Sequence, residues 1–351
     1  MKSRNVIIPI FIPQEGCPHK CVFCNQETIS GEENRVTAAD VVNTIEEYLP
    51  TINKENTIVE VSFFGGTFTG IPIEKQKELL SVAKEYKDNG SIDKIRMSTR
   101  PDYIDRKILE HLKNYDVDII ELGVQSLDEE VLRKSGRGHT IEDVYEASSL
   151  IKEYGITLGH QMMLGLPGDS FEKDIETTKR IIEMKPALCR IYPSLVIKNT
   201  PMEKMLNMGI YKPYTLEEAI DICKVVYKML IDNDIEVIRV GLQTTNEINY
   251  DGDILDGPFH PAFRELVEGS IYCDIIKEEY REGQGDIEIK INEKDISKLY
   301  CNKKKYFNEV RNMIKEKVIV KIDNDISRGE ILISQGGKCR KKGIKKSKGL
   351  Q

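Results

Sequence analysis

Short apolar segments alternate with amphipathic segments over the first two thirds of the chain. The apolar segments are rich in Val and Ile, and several are nearly continuous hydrophobic runs, which is typical of strands covered on both faces. The segments between them carry apolar residues at helical spacing, and some begin at a Thr cap or end before Pro. This pattern predicts strands at residues 5–12, 58–64, 92–98, 117–124, 157–164, 188–196 and 236–242, and helices at residues 37–49, 73–86, 140–154, 171–184 and 215–232.

Repeated strand–helix–strand units imply parallel strands joined by right-handed crossovers. We therefore predict an α/β fold with a partial (β/α)6 TIM-like barrel at residues 1–245. In such barrels the functional residues gather at the C-terminal ends of the strands.

The alternation fails after residue 245, where a turn-rich loop at residues 249–258 begins a different region. We predict a small α+β appendage at residues 246–335, with helices at 261–281 and 303–315 and strands at 286–291 and 317–322. Residues 336–351 are predicted to be a basic, disordered tail, because residues 338–351 hold seven Lys or Arg and no acid.

Composition narrows the class of protein. Hydrophobic residues make up 40% of the 351 residues and charged residues 31%, as in globular proteins. No apolar run approaches the ~20 residues that span a bilayer, and the apolar start is too short and too Pro-broken for a secretory signal. We therefore expect a cytoplasmic protein with no membrane partner. The net charge of −7 argues against nucleic acid covering the whole surface.

Three of the eight cysteines form a tight cluster. Cys17, Cys21 and Cys24 stand as C-x3-C-x2-C directly after the first predicted strand. A four-iron cluster takes one thiolate per iron, so three cysteines leave one iron open to a substrate or cofactor. A zinc site is the alternative, but structural zinc normally has four ligands and His19 is poorly placed to be the fourth. The cysteines at 189, 223, 273 and 301 are predicted to be core residues.

A second signal stands at the end of the second predicted strand, where Gly65, Gly66 and Thr67 follow two phenylalanines. Glycine there lets a ligand approach the backbone closely. Together with the cysteine spacing, this motif resembles the radical S-adenosylmethionine (SAM) superfamily. The resemblance implies a [4Fe-4S] cluster whose open iron binds SAM, and reductive SAM cleavage to a 5′-deoxyadenosyl radical. It also implies an electron donor of the flavodoxin or ferredoxin type.

The same resemblance assigns cofactor-binding residues at the strand ends. Gly65, Gly66 and Thr67 match the motif that binds the SAM amino group. Further polar residues match positions that contact the ribose, carboxylate or adenine of SAM: Ser98, Gln125, Arg137 and Gln161. For each of these residues alone, a capped helix or a satisfied turn is the alternative.

Within the superfamily, four strings of residues 5–245 resemble the Elongator catalytic-subunit-like branch: FFGGTFTG, STRPD, ELGVQS and GLPG. Members of that branch act on the wobble uridine of tRNA and use a separate acetyltransferase domain. Here the cysteines are more closely spaced, and only about 100 residues follow the barrel, too few for that domain. We therefore do not predict acetyl transfer for this chain from its resemblance to that branch.

The substrate is less well indicated. His260 and Arg264, in the loop after the last barrel strand, either contact substrate or pin the loop. The basic segments 303–305 and 338–348 suit an RNA partner such as tRNA, because each phosphate contact adds salt-sensitive affinity. The alternative is that these charge runs are solvated faces or tails. A radical SAM lyase or oxidoreductase acting on a small molecule, for example in modified-base salvage, is one alternative. A non-catalytic iron–sulfur interaction protein is the other.

Overall fold

A computed structural model describes residues 4–12, 16–17, 19–25, 36–242, 249 and 252–345. The predicted boundary between barrel and appendage, at 245/246, and part of the loop at 249–258 lie outside these residues, so the boundary stays a prediction.

In chain order, the strands of the first part are β1 (Arg4–Ile12), β2 (Thr57–Gly65), β3 (Lys94–Thr99), β4 (Ile119–Gln125), β5 (Thr157–Leu164), β6 (Leu188–Pro193), the short β7 (Val196–Ile197) and β8 (Glu236–Val240).

Seven of these strands form one parallel sheet in the order β1-β2-β3-β4-β5-β6-β8. Neighbouring strands in the sheet follow one another along the chain, as expected when each crossover returns the chain to the adjacent position. The predicted partial barrel of parallel strands is confirmed as a half-barrel, with seven strands in the curled sheet. The helices described along this part are α1 (Ala38–Tyr48), α2 (Ile73–Asp88), α3 (Arg106–Asn114), α4 (Glu129–Lys134), α5 (Ile141–Glu153), α6 (Phe171–Met184), α7 (Pro201–Asn207) and α8 (Leu216–Asp232).

The helices begin where the sequence supplies side-chain caps. Thr37, Thr140 and Thr215 each accept a hydrogen bond from the third backbone N–H of the helix, and an acid at that position bonds back. These capping boxes satisfy donors that a helix start leaves unpaired. One face of the sheet then packs on the helices. On β4, for example, Ile120 and Leu122 are fully buried in this layer.

The rest of the chain forms a small module. After β9 (Ile254–Asp256), which pairs with β7, come α9 (Phe263–Glu279), β10 (Ile287–Ile291), α10 (Ile296–Leu299), α11 (Cys301–Met313), β11 (Val318–Ile322), β12 (Glu330–Gln335) and β13 (Lys338–Gly343). The last four strands form a mixed sheet in the order β11-β10-β12-β13. The predicted α+β character of this region is confirmed. Most of its buried hydrophobic residues belong to the same hydrophobic cluster as those of the half-barrel.

The prediction of a disordered tail from residue 336 is wrong for the residues that the structure describes. Residues 338–343 form β13, which pairs antiparallel with β12, and Ile344 is buried. No hydrophobic pattern marks this strand, because β13 is an edge strand whose side chains are mostly Lys and Arg. Such charged edges are a common way to keep a sheet from pairing with other chains. Residues 346–351 lie outside the described part.

No helix in the described ranges is both long enough and apolar enough to cross a membrane.

Candidate functional site

The cysteine loop follows β1 at the C-terminal edge of the main sheet. Cys17 is exposed, Cys24 is half-buried and Cys21 is buried, and none of the three is in a disulfide. The Cys17 thiol lies 3.1 Å from the Thr67 hydroxyl, within hydrogen-bond distance. The Cys24 N–H donates to the Cys21 carbonyl at 3.1 Å, which closes a turn between two of the cysteines. The cysteine loop is therefore attached to the end of β2.

The donors that this loop presents are three cysteine thiols. Among the described residues, no set of three or more His, Cys, Asp or Glu side chains converges on one metal position. The thiolates of a four-iron cluster each bind a different iron, so they surround the cluster and do not meet at one point. Three thiols free of disulfides in one loop thus suit an iron–sulfur cluster.

The Gly-Gly-Thr turn continues β2 toward the cysteine loop. The Gly66 N–H donates to the Ile12 carbonyl at 2.7 Å, which ties the turn to the end of β1. Gly65 has a φ of +104°, and a Cβ there would lie 2.5 Å from the same carbonyl oxygen. Only glycine fits this position, so the turn leaves backbone rather than side chain at the mouth of the site.

The face of the sheet that points into the half-barrel carries a buried polar network. Glu121 on β4 accepts from Arg190 Nη2 at 3.0 Å and from Arg96 Nη1 at 2.7 Å. Arg96 Nη2 also lies 2.6 Å from a carboxylate oxygen of Glu60. Gln161 donates to the same Glu121 carboxylate at 3.0 Å. Five neighbouring strands of the sheet, β2 to β6, therefore contribute to one network beneath the strand ends.

Electrostatics keeps Glu121 ionised. Burial would raise the pKa of Glu121, but the guanidinium groups of Arg190 and Arg96 outweigh burial and hold that pKa below its ordinary value. Near the cysteine loop the field is positive. Burial, together with Arg137 and Arg100, lowers the pKa of His139 to about 2, so this imidazole is neutral at physiological pH.

Some of the predicted cofactor residues meet directly. Gln161 Nε2 donates to the Ser98 hydroxyl at 2.9 Å, which joins β5 to β3 across β4. Gln125 ends β4 with a φ of +64°, and its side-chain oxygen is buried with no hydrogen-bond partner in the described part of the chain. A strained residue with an unpaired acceptor at a strand end suits a ligand that donates a hydrogen bond. The Gln125 amide oxygen is therefore available to a hydrogen-bond donor of a ligand at this strand end.

The two predicted substrate residues have structural contacts. His260 Nδ1 accepts from the Ala262 N–H at 3.1 Å, within its own turn. Arg264 donates to Glu268 at 2.8 Å and lies over the Tyr227 ring, so it joins α9 to α8. These are the contacts expected of residues that pin the loop, and they favour that alternative.

The sequence reading missed three members of the inner network, Glu60, Arg96 and Arg190. Their signal was present, because each is a charged residue inside a predicted strand of the sheet. Charged residues are almost never fully buried unless they are paired. A search for buried pairs across neighbouring strands would have identified them.

Two family models match this chain. The model of the radical SAM superfamily matches residues 11–181, and the model of the radical SAM C-terminal domain matches residues 186–272. The chain belongs to the radical SAM superfamily and is an enzyme of that family. Its cofactors are the [4Fe-4S] cluster and SAM that the family uses.

Its relatives place it near the Elongator catalytic subunits. The chain is 30% identical over 260 residues to the tRNA uridine(34) acetyltransferase of Methanocaldococcus jannaschii, covering 63% of this chain and 48% of the relative. It is 32% identical over 184 residues to Elongator complex protein 3 of Saccharomyces cerevisiae, covering 47% and 33%. An uncharacterized M. jannaschii protein is 32% identical over 231 residues, covering 62% of this chain and 69% of that protein.

The fold matches that of the archaeal Methanocaldococcus infernus Elp3 with an N-terminal deletion, with a TM-score of 0.64 and 22% identity. The match covers 95% of this chain and 75% of that one. The predicted resemblance to the Elongator branch is confirmed. The chain nevertheless spans only about half the length of the archaeal acetyltransferase that it matches.

Proposed function

We propose that this radical SAM enzyme modifies a nucleoside of an RNA, with tRNA as the substrate class. When bound, the two cofactors supply a 5′-deoxyadenosyl radical that abstracts a hydrogen atom from the substrate. The acetyl transfer named in the relatives is not part of the proposal. The observation that carries it is a separation of charge along the chain, because the cofactor region and the C-terminal module have opposite signs.

The separation is large. The part of the module that follows α9, residues 280–351, holds 19 Lys or Arg and 10 Asp or Glu, a net charge of +9, which leaves −16 for residues 1–279, α9 included. A polyanion attracted to the module is repelled by most of the half-barrel surface. That arrangement favours binding at one end of the molecule, with local access to the active site, over non-specific coating.

Three lysines of the module are aligned across its sheet. Lys290 lies opposite Lys321 on one side and opposite Leu332 on the other, and Leu332 lies opposite Lys341. Each lysine has a partly exposed acidic partner: Asp323 for Lys290, Glu288 for Lys321 and Glu330 for Lys341. Exposed pairs of this kind are worth about 0–1 kcal/mol, so a phosphate can replace the carboxylate at little cost.

Within the site we propose the following roles. Cys17, Cys21 and Cys24 hold the cluster. Backbone at Gly65 and Gly66 and the Thr67 hydroxyl bind the SAM amino group, and Ser98, Gln125 and Gln161 orient the rest of the cofactor. Glu121 fixes the Gln161 amide through the hydrogen bond described above. A cytoplasmic location and a flavodoxin or ferredoxin donor remain part of this proposal.

The decisive experiment is anaerobic. The full chain is reconstituted with iron and sulfide, mixed with SAM and dithionite, and assayed for 5′-deoxyadenosine with and without bulk tRNA, with Cys21→Ala as control. Release stimulated by tRNA supports the proposal and justifies mapping the altered nucleoside. Release that is indifferent to tRNA contradicts the RNA substrate and directs the search to small molecules. Release no greater than that of Cys21→Ala contradicts radical chemistry itself.

The proposal that the module binds the phosphates of tRNA has its own test. A variant with Lys290→Gln, Lys321→Gln and Lys341→Gln should bind tRNA about tenfold more weakly at low salt. The slope of the logarithm of the tRNA binding constant against the logarithm of salt concentration should fall in magnitude by about 2 to 3, because three phosphate contacts are lost. The control carries Lys77→Gln, Lys179→Gln and Lys107→Gln on the half-barrel helices. Equal losses in both variants would show that the module has no special role.

A further inference from the structure

Arg137 is a buried cation without an acidic partner. It lies in the turn between α4 and α5, and only 6% of its surface is exposed. Its guanidinium forms no ion pair with a carboxylate in the described part of the chain, and its Nε has no hydrogen-bond acceptor there. A buried charge without an oppositely charged partner is unfavourable. The position therefore requires a nearby negative charge that the protein's carboxylates do not supply.

The guanidinium is directed at the cysteine loop. Arg137 Nη1 donates to Cys21 Sγ at 3.4 Å, and Nη2 donates to the Gly123 carbonyl at 2.6 Å. A Cβ on Gly123 would lie 3.3 Å from Nη2, so glycine leaves the space that the guanidinium occupies. One arm of the planar group is thus held by β4 while the other points to the sulfur.

The backbone of the same turn is attached to the cysteine loop. The Val22 N–H donates to the Ser135 carbonyl at 3.0 Å, one residue after Cys21 and two residues before Arg137. The Arg137 N–H donates to the Leu132 carbonyl at 3.1 Å, which anchors the turn to α4. Cys21 and Arg137 are therefore held at a fixed separation by two backbone contacts as well as by their side chains.

From this geometry we infer that Arg137 is a positioning residue for the iron–sulfur cluster, which stabilises its reduced form through Cys21. The charge that Arg137 requires is the thiolate of Cys21 when that sulfur binds iron. Reduction adds one electron, so the cluster with its thiolates becomes more negative by one unit. A guanidinium that donates to a ligand sulfur favours that state, since hydrogen bonds to the sulfurs and net charge set the potentials of such clusters.

This role differs from the SAM contact that the family resemblance implies for Arg137. A residue that acts on SAM alone has no effect on the cluster until SAM binds. A residue that acts through Cys21 changes the cluster in the absence of SAM. The inference rests on the cluster alone and is independent of the RNA substrate proposed above.

The test uses the reconstituted full chain without SAM. The midpoint potential of the cluster is measured by reductive titration followed by electron paramagnetic resonance, with iron and sulfide content determined for each sample. The variants are Arg137→Gln and Arg137→Lys. The control is Arg133→Gln, which removes the same charge from an exposed position on α4. Potentials are compared only between samples with the same circular dichroism spectrum.

We expect Arg137→Gln to lower the preference for the reduced cluster about tenfold, which corresponds to about 59 mV for a one-electron couple. Arg137→Lys should show a smaller shift in the same direction, because it keeps the charge but loses the forked donors. Arg133→Gln should match the wild type. An unchanged potential in a fully loaded Arg137→Gln sample overturns the inference. If that variant does not hold a cluster, an unchanged potential in Arg137→Lys overturns it.

Discussion

The two faces of the main sheet are both buried, yet they differ in chemistry. On β4 the helix-facing residues are Ile120, Leu122 and Val124, and all three are fully buried in the apolar core. The alternate residues of the same strand include Glu121, which is equally buried but belongs to the charged network inside the half-barrel. Burial alone therefore does not distinguish the residues that stabilise the fold from those that form the site. On the inner face, some buried polar groups, such as Glu121, are paired and hold the fold. Others, such as the Gln125 amide oxygen, are left available to a ligand.

The largest expected effect comes from removing the centre of the inner network. Glu121→Gln leaves Arg190 buried without its carboxylate, and losing one partner of a buried pair costs about 3–5 kcal/mol. The free energy of unfolding from urea titration measures the loss. The control is Glu153→Gln, which breaks the exposed pair with Arg106 and should cost about 0–1 kcal/mol. Equal losses would mean that the inner network contributes nothing special to stability.

The outer face should affect stability but not cofactor binding. Leu122→Ala should reduce the free energy of unfolding by about 2–5 kcal/mol, because it leaves a cavity in a fully buried position. SAM binding per folded molecule, measured by calorimetry at low temperature, should remain at the wild-type value. A weaker affinity in the folded variant would show that the two faces are coupled.

His160 is an exception on the outer face, and it should make stability depend on pH. Its ring is within hydrogen-bond distance of the Ser148 hydroxyl, at 2.9 Å, and burial, together with Lys152, lowers its pKa to about 3. The folded state therefore keeps this imidazole neutral while the unfolded chain binds a proton below about pH 6.5. Stability is fully present above that pH and falls by about 1.4 kcal/mol per pH unit toward pH 3.

Comparison with His160→Gln isolates this contribution. The free energy of unfolding of both proteins is measured at pH 7.5 and pH 5.5, so that the other titrating groups cancel in the difference. The wild type should lose more stability than the variant on acidification. Identical losses would show that His160 takes up its proton in the folded state too.

The smallest expected effect on stability is on the inner face at the strand ends. Ser98→Ala removes the acceptor of one Gln161 hydrogen bond and should cost about 0.5–1.5 kcal/mol. The SAM dissociation constant should nevertheless rise about tenfold, since the amide loses the contact that orients it. Ser81→Ala on α2 is the matched control, because its hydroxyl bonds only within its own helix. Unchanged SAM affinity in Ser98→Ala would remove Ser98 from the proposed site.

The parts of the site formed by residues close together in sequence were predictable, and the contacts between residues far apart in sequence were not. The cysteine spacing and the Gly-Gly-Thr turn are short motifs, so their proximity follows from two adjacent strands. Arg137 was predicted to contact SAM, but its contact with Cys21 joins residues 116 positions apart. That contact depends on how the turn after α4 approaches the cysteine loop, which no pattern within either segment specifies.

The same distinction holds for the whole chain. Hydrophobic periodicity by itself determined the series of parallel strands and helices, since alternating buried segments of these lengths have few other ways to cover their apolar surface. Cysteine spacing by itself determined the chemistry of the cluster loop. Only the tertiary structure decided that a basic C-terminal segment pairs as β13, and that Glu121 joins arginines from two other strands. Both outcomes depend on strand register, which brings together side chains whose separation in sequence carries no signal.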